Sequence, residues 1–378
     1  MELNNAQHVA LWGFLVAVAF GAIANKTNFC TMGAVSDWVN MDDKKRLRAW
    51  FLAIGVAIIG SQLLQGLGYI DLSKSIYLTA NFGWLGHIFG GLLFGTGMTL
   101  GGGCGQRTLV RVGGGNLKSL VVMLLMGITA YMTLRGLLAL VRINVIEITN
   151  IDLAARNIAD QSVATLMQVA TGITDTKMVR GIVAATVGLG FTFYALANTE
   201  FLRSFKNLFA GLSIGFFIIA GWYITGKLGF DEFEPVRVES YTFVSPVAES
   251  VNYLMTYTGS TINFGIAAVF GVIAGSFLYA VLSGSFRIET FSSRADMVNH
   301  MSGGVLMGFG GVIAMGCTIG QGVTGMSTLA LGSVITLCMI IFGAALTMKT
   351  QLHLMDEQPF WRALRLALTE MKLLPAAR

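Results

Sequence analysis

Acidic residues are scarce in this chain, and their absence is concentrated. No Asp or Glu occurs from residue 72 to 146 or from 297 to 355. Cation paths and proton relays inside membranes rest on carboxylates, so these two stretches argue against such a relay and for an anion or a neutral solute. Charge of either sign is low, at 12% of residues, about half the share in a soluble domain. Cysteine and histidine number four each. Cys30, Cys104, Cys317 and Cys338 show no CxxC or CxxxH spacing, which suggests neither a zinc site nor a thioredoxin-like motif. His8, His87, His300 and His353 form no ligand cluster, so no metal or cofactor is expected. No nucleotide-binding motif is visible, so neither ATP drive nor an enzyme is expected. Before the first apolar run the chain has Glu2 and no Lys or Arg, which argues against a cleaved signal peptide.

What is abundant is apolar. Hydrophobic residues make up 54% of the 378 and the mean hydropathy is +0.69. Nine runs approach the ~20 residues needed to cross a bilayer: roughly 8–25, 48–70, 84–103, 117–140, 181–198, 207–227, 262–282, 301–317 and 327–348. The expected fold is an all-α polytopic membrane protein. Glycine is frequent, at 47, which suits helices whose backbones pack closely in lipid. With nine spans and the N-terminus outside, 17 of the 25 Lys and Arg fall on the inner side. The positive-inside rule therefore predicts N-outside and C-inside. Most outer exceptions lie between Arg135 and Arg180, a segment long and polar enough (NIDLAARNIADQS) to carry a surface helix. The stretch 360–374, FWRALRLALTEMKLL, has helical apolar spacing with interspersed basic residues and is expected to lie on the inner surface.

Two of the spans are copies. His87, Gly90, Gly91, Leu93, Gly95, Gly97, Gly103 and Cys104 recur, 213 positions on, as His300, Gly303, Gly304, Leu306, Gly308, Gly310, Gly316 and Cys317. A Gly-Gln pair follows each cysteine, at Gly105-Gln106 and Gly320-Gln321. In the nine-span topology the copies run in opposite directions, the arrangement of inverted-repeat transporters, whose substrate site lies between the repeats. The whole chain then reads as one transport domain: a first repeat over about 8–140, connecting spans over 141–260, a second repeat over 261–350 and a tail at 356–378.

The turns GGGCGQRT (101–108) and GCTIGQG (316–322) break apolar spans, and irregular backbone at membrane depth must be buried in protein or line a wet cavity. The helices that follow, starting near 107–117 and 322–327, would aim their positive ends at that centre and favour an anion. Cys104, Cys317 and Cys30 (in KTNFCTMG) are candidate path residues, with Gln106, Gln321 and Arg107. Cys338, mid-span, reads as a buried packing residue. Arg107 and Arg111 suit either drawing an anion to the inner mouth or anchoring topology. His87 and His300 read as helix-end residues, and the methionines as packing. A neutral thiol, the dominant form at neutral pH, suits a soft sulfur-bearing anion; redox sensing or a transient persulfide is the rival use.

NFCTMGAVSDW (28–38), WLGHIFGGLLFGTGMTLGGGCG (84–105) and GGVLMGFGGVIAMGCTIGQG (303–322) together resemble the YeeE/YedE family of membrane proteins with a sulfur-transport domain. The resemblance implies thiosulfate uptake across a bacterial inner membrane through an hourglass-shaped inverted-repeat bundle. It implies path roles for Cys30, Cys104 and Cys317, with Cys317 nearest the outside. It also implies a TusA-type cytoplasmic sulfurtransferase as partner. The alternatives are a membrane sulfur relay that forms a cysteine persulfide, and a broader small-anion channel.

Overall fold

The computed structural model describes residues 4–173 and 175–374; Glu2 and Arg378 lie outside them. The first half contains α1 (Asn5–Thr27), α2 (Thr31–Met41), α3 (Lys45–Gly66), a two-residue strand β1 (Asn81–Phe82), α4 (Trp84–Leu100), α5 (Gly105–Gly113), α6 (Leu117–Arg135) and the single turn α7 (Ala139–Val141). After strand β2 (Ile151–Asp152) come α8 (Val163–Thr171), α9 (Thr176–Leu196), α10 (Thr199–Arg203), α11 (Phe205–Tyr223) and α12 (Val244–Met255). The last part holds α13 (Phe264–Leu282), α14 (Arg294–Ile313), a π-helical turn (Gly320–Gly325), α15 (Leu331–Met355) and α16 (Phe360–Glu370).

Local chemistry sets the helix ends. Asn4 and Gln7 form a reciprocal capping box at the start of α1. Asn116 and Asn263 accept the Ser119 and Ile266 amides, each at 2.8 Å, and so start α6 and α13. Asn28 and Asp42 stop α1 and α2 in the left-handed conformation, which short polar side chains tolerate.

Among the described residues, seven helical stretches are long and apolar enough to cross a membrane: Asn5–Met41, Lys45–Gly66, Leu117–Arg135, Thr176–Leu196, Phe205–Leu228, Phe264–Leu282 and Leu331–Met355. They coincide with seven of the nine predicted spans. The other two are α4 and α14, the repeated glycine helices. Helix α14 starts at Arg294, ahead of the predicted 301, because Ser293 caps it through the Asp296 amide. His300 therefore lies inside the helix rather than at its start, with Asp296 one turn before it. The polar stretch 150–162 forms no α-helix. It carries β2 and one 3-10 turn, Ala154–Arg156, and the helix of this region is α8, just beyond it. Helix α16 folds back on α15 through buried Ala363 and Ala367 and a Lys349–Glu370 ion pair of 2.7 Å.

Glycine decides how closely the helices approach. Helices α4 and α14 cross where Gly90 meets Gly310 and Gly97 meets Gly303. Helix α4 also packs on α15, Gly91 facing Thr336 and Gly95 facing Ile340. Helix α14 packs on α6 in the same way, Gly304 facing Val122 and Gly308 facing Met126. Helices α1 and α13 pair through Gly21 against Val272 and Gly275 against Val18. An aromatic cluster fills the space beside them, with Phe20 5.6 Å from Phe243 and Tyr241 5.1 Å from Phe264.

Candidate functional site

Cys30, Cys104 and Cys317 sit at the same kind of place. Cys30 is the N-cap of α2 and Cys104 the N-cap of α5. Cys317 precedes the helical run 318–327 and its Sγ accepts the Gly320 N–H at 3.4 Å. The two helices after the repeated cysteines thus begin at once, at 105 and 318, earlier than the sequence suggested. The glycines allow this. Gly102 adopts φ +70° and Gly316 φ +159°, so the chain leaves α4 and α14 and turns directly into the next helix. Each thiol therefore lies at a positive helix end, worth about half an elementary charge.

All three sulfurs are buried. Cys30 and Cys104 interact directly, and Cys104 also meets the Thr318 side chain. The Gln106 Oε1 lies 4.0 Å from the Cys104 Sγ. Thr318 follows Cys317 in the chain, so the turn that carries Cys317 also brings a hydroxyl to Cys104. Beside Cys317, the bare Gly320 leaves room for the Thr242 and Tyr77 hydroxyls; a Cβ there would stand 3.5 Å from the Tyr77 Oη. Gln106 Nε2 and Thr31 Oγ1 are buried with no hydrogen-bond partner among the described residues, and Thr318 Oγ1 and Tyr77 Oη are buried beside Cys104 and Thr242. Unpaired buried donors are rare and call for an explanation. These four groups bring buried hydrogen-bond donors to the cysteines.

The predicted residues separate here. Cys30, Cys104, Gln106 and Arg107 come together, and Cys317 continues the line. Gln321 does not share the role of Gln106. Its Nε2 donates to the Ala314 carbonyl at 2.6 Å and its Oε1 accepts from Ser333 Oγ at 2.5 Å, so both ends are consumed in holding the turn. Arg107 donates from Nη2 to Asn28 Oδ1 at 2.9 Å and lines a polar cavity of about 520 Å³ that reaches Cys30. Arg111 lines the same cavity and donates to the Gly102 carbonyl at 2.7 Å.

Three further expectations change. Cys338 is exposed rather than buried, facing an apolar groove with Phe51 and Phe191, because α15 turns that side away from the core. His87 is a buried interior residue whose Nδ1 lies 2.8 Å from Thr336 Oγ1. The acid-free stretches do not make the neighbourhood acid-free: Glu239, from the irregular segment before α12, comes within electrostatic reach of Tyr77. Sequence reasoning missed Tyr77, Thr242, Thr318 and Arg46. Only Thr318, next to a flagged cysteine, carried a signal. Among the described residues no group of three or more His, Cys, Asp or Glu could hold a metal ion.

Comparison with known proteins identifies the family. The thiosulfate transporter TsuA of Escherichia coli is 25% identical over 320 residues, covering 82% of this chain and 86% of that protein. TsuA of Spirochaeta thermophila, also named a thiosulfate transporter, is 25% identical over 337 residues, covering 88% and 96%. Both are described by transport and not by a catalytic activity. The profile of the family described as sulphur transport matches residues 26–346, a span that takes in all four cysteines and both glycine-broken helices, and the chain belongs to that family.

Proposed function

We propose that this protein takes up thiosulfate, or a closely related sulfur anion, across the bacterial inner membrane through the line Cys317–Thr318–Cys104–Cys30. The observation that carries the reading is the coincidence of three thiols at three helix N-termini with unpaired buried donors around them. An oxyanion supplies the acceptors those donors lack, and helix ends favour its charge. The terminal sulfur of thiosulfate is soft and polarisable, and neutral thiols meet it through S–H···S and S–H···O contacts that hold it weakly enough to pass. The naming of both relatives as thiosulfate transporters supports this choice of anion over the persulfide relay and the broader channel.

In this reading α4 and α14 also cross part of the membrane, making nine spans, and the two halves are inverted. The reciprocal contacts support that. Gly90–Gly310 becomes Gly303–Gly97 when residues are exchanged 213 positions apart, and Gly91–Thr336 becomes Gly304–Val122 when α6 is matched to α15. The N-terminus lies outside and the end carrying Lys45, Arg46, Arg107 and Lys118 faces the cytoplasm. A TusA-type sulfurtransferase is the expected acceptor there.

Purified protein in liposomes tests the function. Labelled thiosulfate should accumulate, and excess sulfate or formate should compete poorly. Protein-free levels of uptake, with and without a proton gradient, would sink the proposal; equal competition by all anions would replace it with the broad channel.

A further inference from the structure

The cavity below Cys30 is strongly cationic, yet it contains a carboxylate in the place an anion would prefer. Lys45, Arg46, Arg107, Arg111 and Lys206 line it, together with Asp37 and Asp43. Asp43 is engaged by Lys45 at 3.7 Å, and Arg107 and Arg111 lean on Asn28 and Gly102. Asp37 is different. Both its oxygens are taken by Arg46, Nε on Oδ2 and Nη2 on Oδ1, the latter at 2.5 Å. The remaining nitrogen, Nη1, rests on Gly33 in the first turn of α2, where a Cβ would overlap it. The guanidinium is thus seated between Gly33 and Asp37, one helical turn apart, a few ångströms of helix from the thiol that caps the same helix. The pair is part-buried, with 34% and 14% of the two side chains exposed.

A planar guanidinium fork matches two oxygens of a carboxylate and two oxygens of a sulfur oxyanion equally well. A conducting path must bind its ion firmly enough to admit it and weakly enough to release it. Five cations around a dianion, with nothing to compete, would hold it. We propose that Arg46 is an oxyanion-binding residue of the inner vestibule and that Asp37 is its built-in competitor, which takes back the fork as the anion leaves. This rests on the proposed function only in taking the vestibule as the exit. Asp37 is predicted to set release, not selection.

Sulfate tests the site without the thiol line, since it has oxyanion oxygens and no terminal sulfur. Calorimetric titration of sulfate into the full-length purified protein should show Asp37→Asn binding at least fivefold tighter than the native chain. Arg46→Gln should lose that binding, and the double variant Asp37→Asn/Arg46→Gln, in which no charge is left unpaired, should show no gain. In liposomes Asp37→Asn should lower the maximal rate of thiosulfate uptake at least threefold. A gain in sulfate affinity below fivefold in Asp37→Asn overturns the proposal, as does a gain that survives in the double variant. The titrations are repeated in Cys104→Ser: unchanged sulfate results there, with uptake also unchanged by the cysteine substitution, would remove the thiol line and leave the Arg46 site standing.

Discussion

The carbonyl oxygen of Gly303 lies 2.8 Å from where a Cβ on Gly97 would stand, and that of Gly310 lies 2.7 Å from the same point on Gly90. The crossing of α4 and α14 is therefore backbone against backbone. Gly97→Ala should lower stability by about 1–3 kcal/mol, the usual cost of overpacking, read as a drop in unfolding midpoint in detergent. Gly181→Ala is the control, because nothing lies within 4 Å of its Cβ position and alanine favours a helix by roughly 1 kcal/mol. Equal midpoints for both variants would show that the contact is slack.

The two glutamines that the repeat makes equivalent should behave differently. Gln321→Leu strips partners from Ala314 and Ser333, a loss of about 1–3 kcal/mol per buried group left unpaired. Gln106→Leu removes a donor that has no partner, so it should preserve the midpoint and reduce uptake. Matching losses of stability in both variants would refute the distinction.

Serine in place of Cys104 or Cys317 should cut labelled thiosulfate uptake at least tenfold at normal protein levels. Oxygen is smaller and harder than sulfur, so the soft contact is lost while the hydrogen-bonding capacity stays. Cys338→Ser, on the exposed apolar groove, should transport normally. Native rates in both path variants would dispose of the thiol line.

Burial raises the Glu239 carboxyl to about 7, with Glu249 adding to the rise and Arg237 opposing it. Below that pH the group is neutral; above it, it is an anion near Tyr77 that repels an entering anion. Thiosulfate uptake should therefore fall as pH rises from 6 to 8, by about threefold, and Glu239→Gln should flatten the profile. A Glu239→Gln profile as steep as the native one would exclude Glu239 as the cause.

Reporter fusions check the orientation. A fluorescent protein fused behind residue 374 should fold and fluoresce, whereas alkaline phosphatase there should stay inactive, as at any cytoplasmic end. An active phosphatase would reverse the assignment of the basic end.

The sequence by itself determined the long helices. Apolar runs of membrane length are a local property, and seven of them recur as helices within a few residues. The repeat could be seen because the glycines and cysteines it conserves between halves are required by close backbone approach and tight turns, which few other residues satisfy. Tertiary structure decided what sequence spacing cannot encode. It brought Cys30 to Cys104 across 74 positions, gave Gln106 and Gln321 unlike surroundings, and set Tyr77 near Cys317, and Glu239 near Tyr77, from segments with no motif. It also turned Cys338 outward, since hydropathy measures how apolar a helix is and not which face meets its neighbours. The Arg46–Asp37 pair spans only nine residues, yet a basic residue near a helix start reads from sequence as a topology anchor. Only the packing of α2 against α3 made it the wall of a cavity.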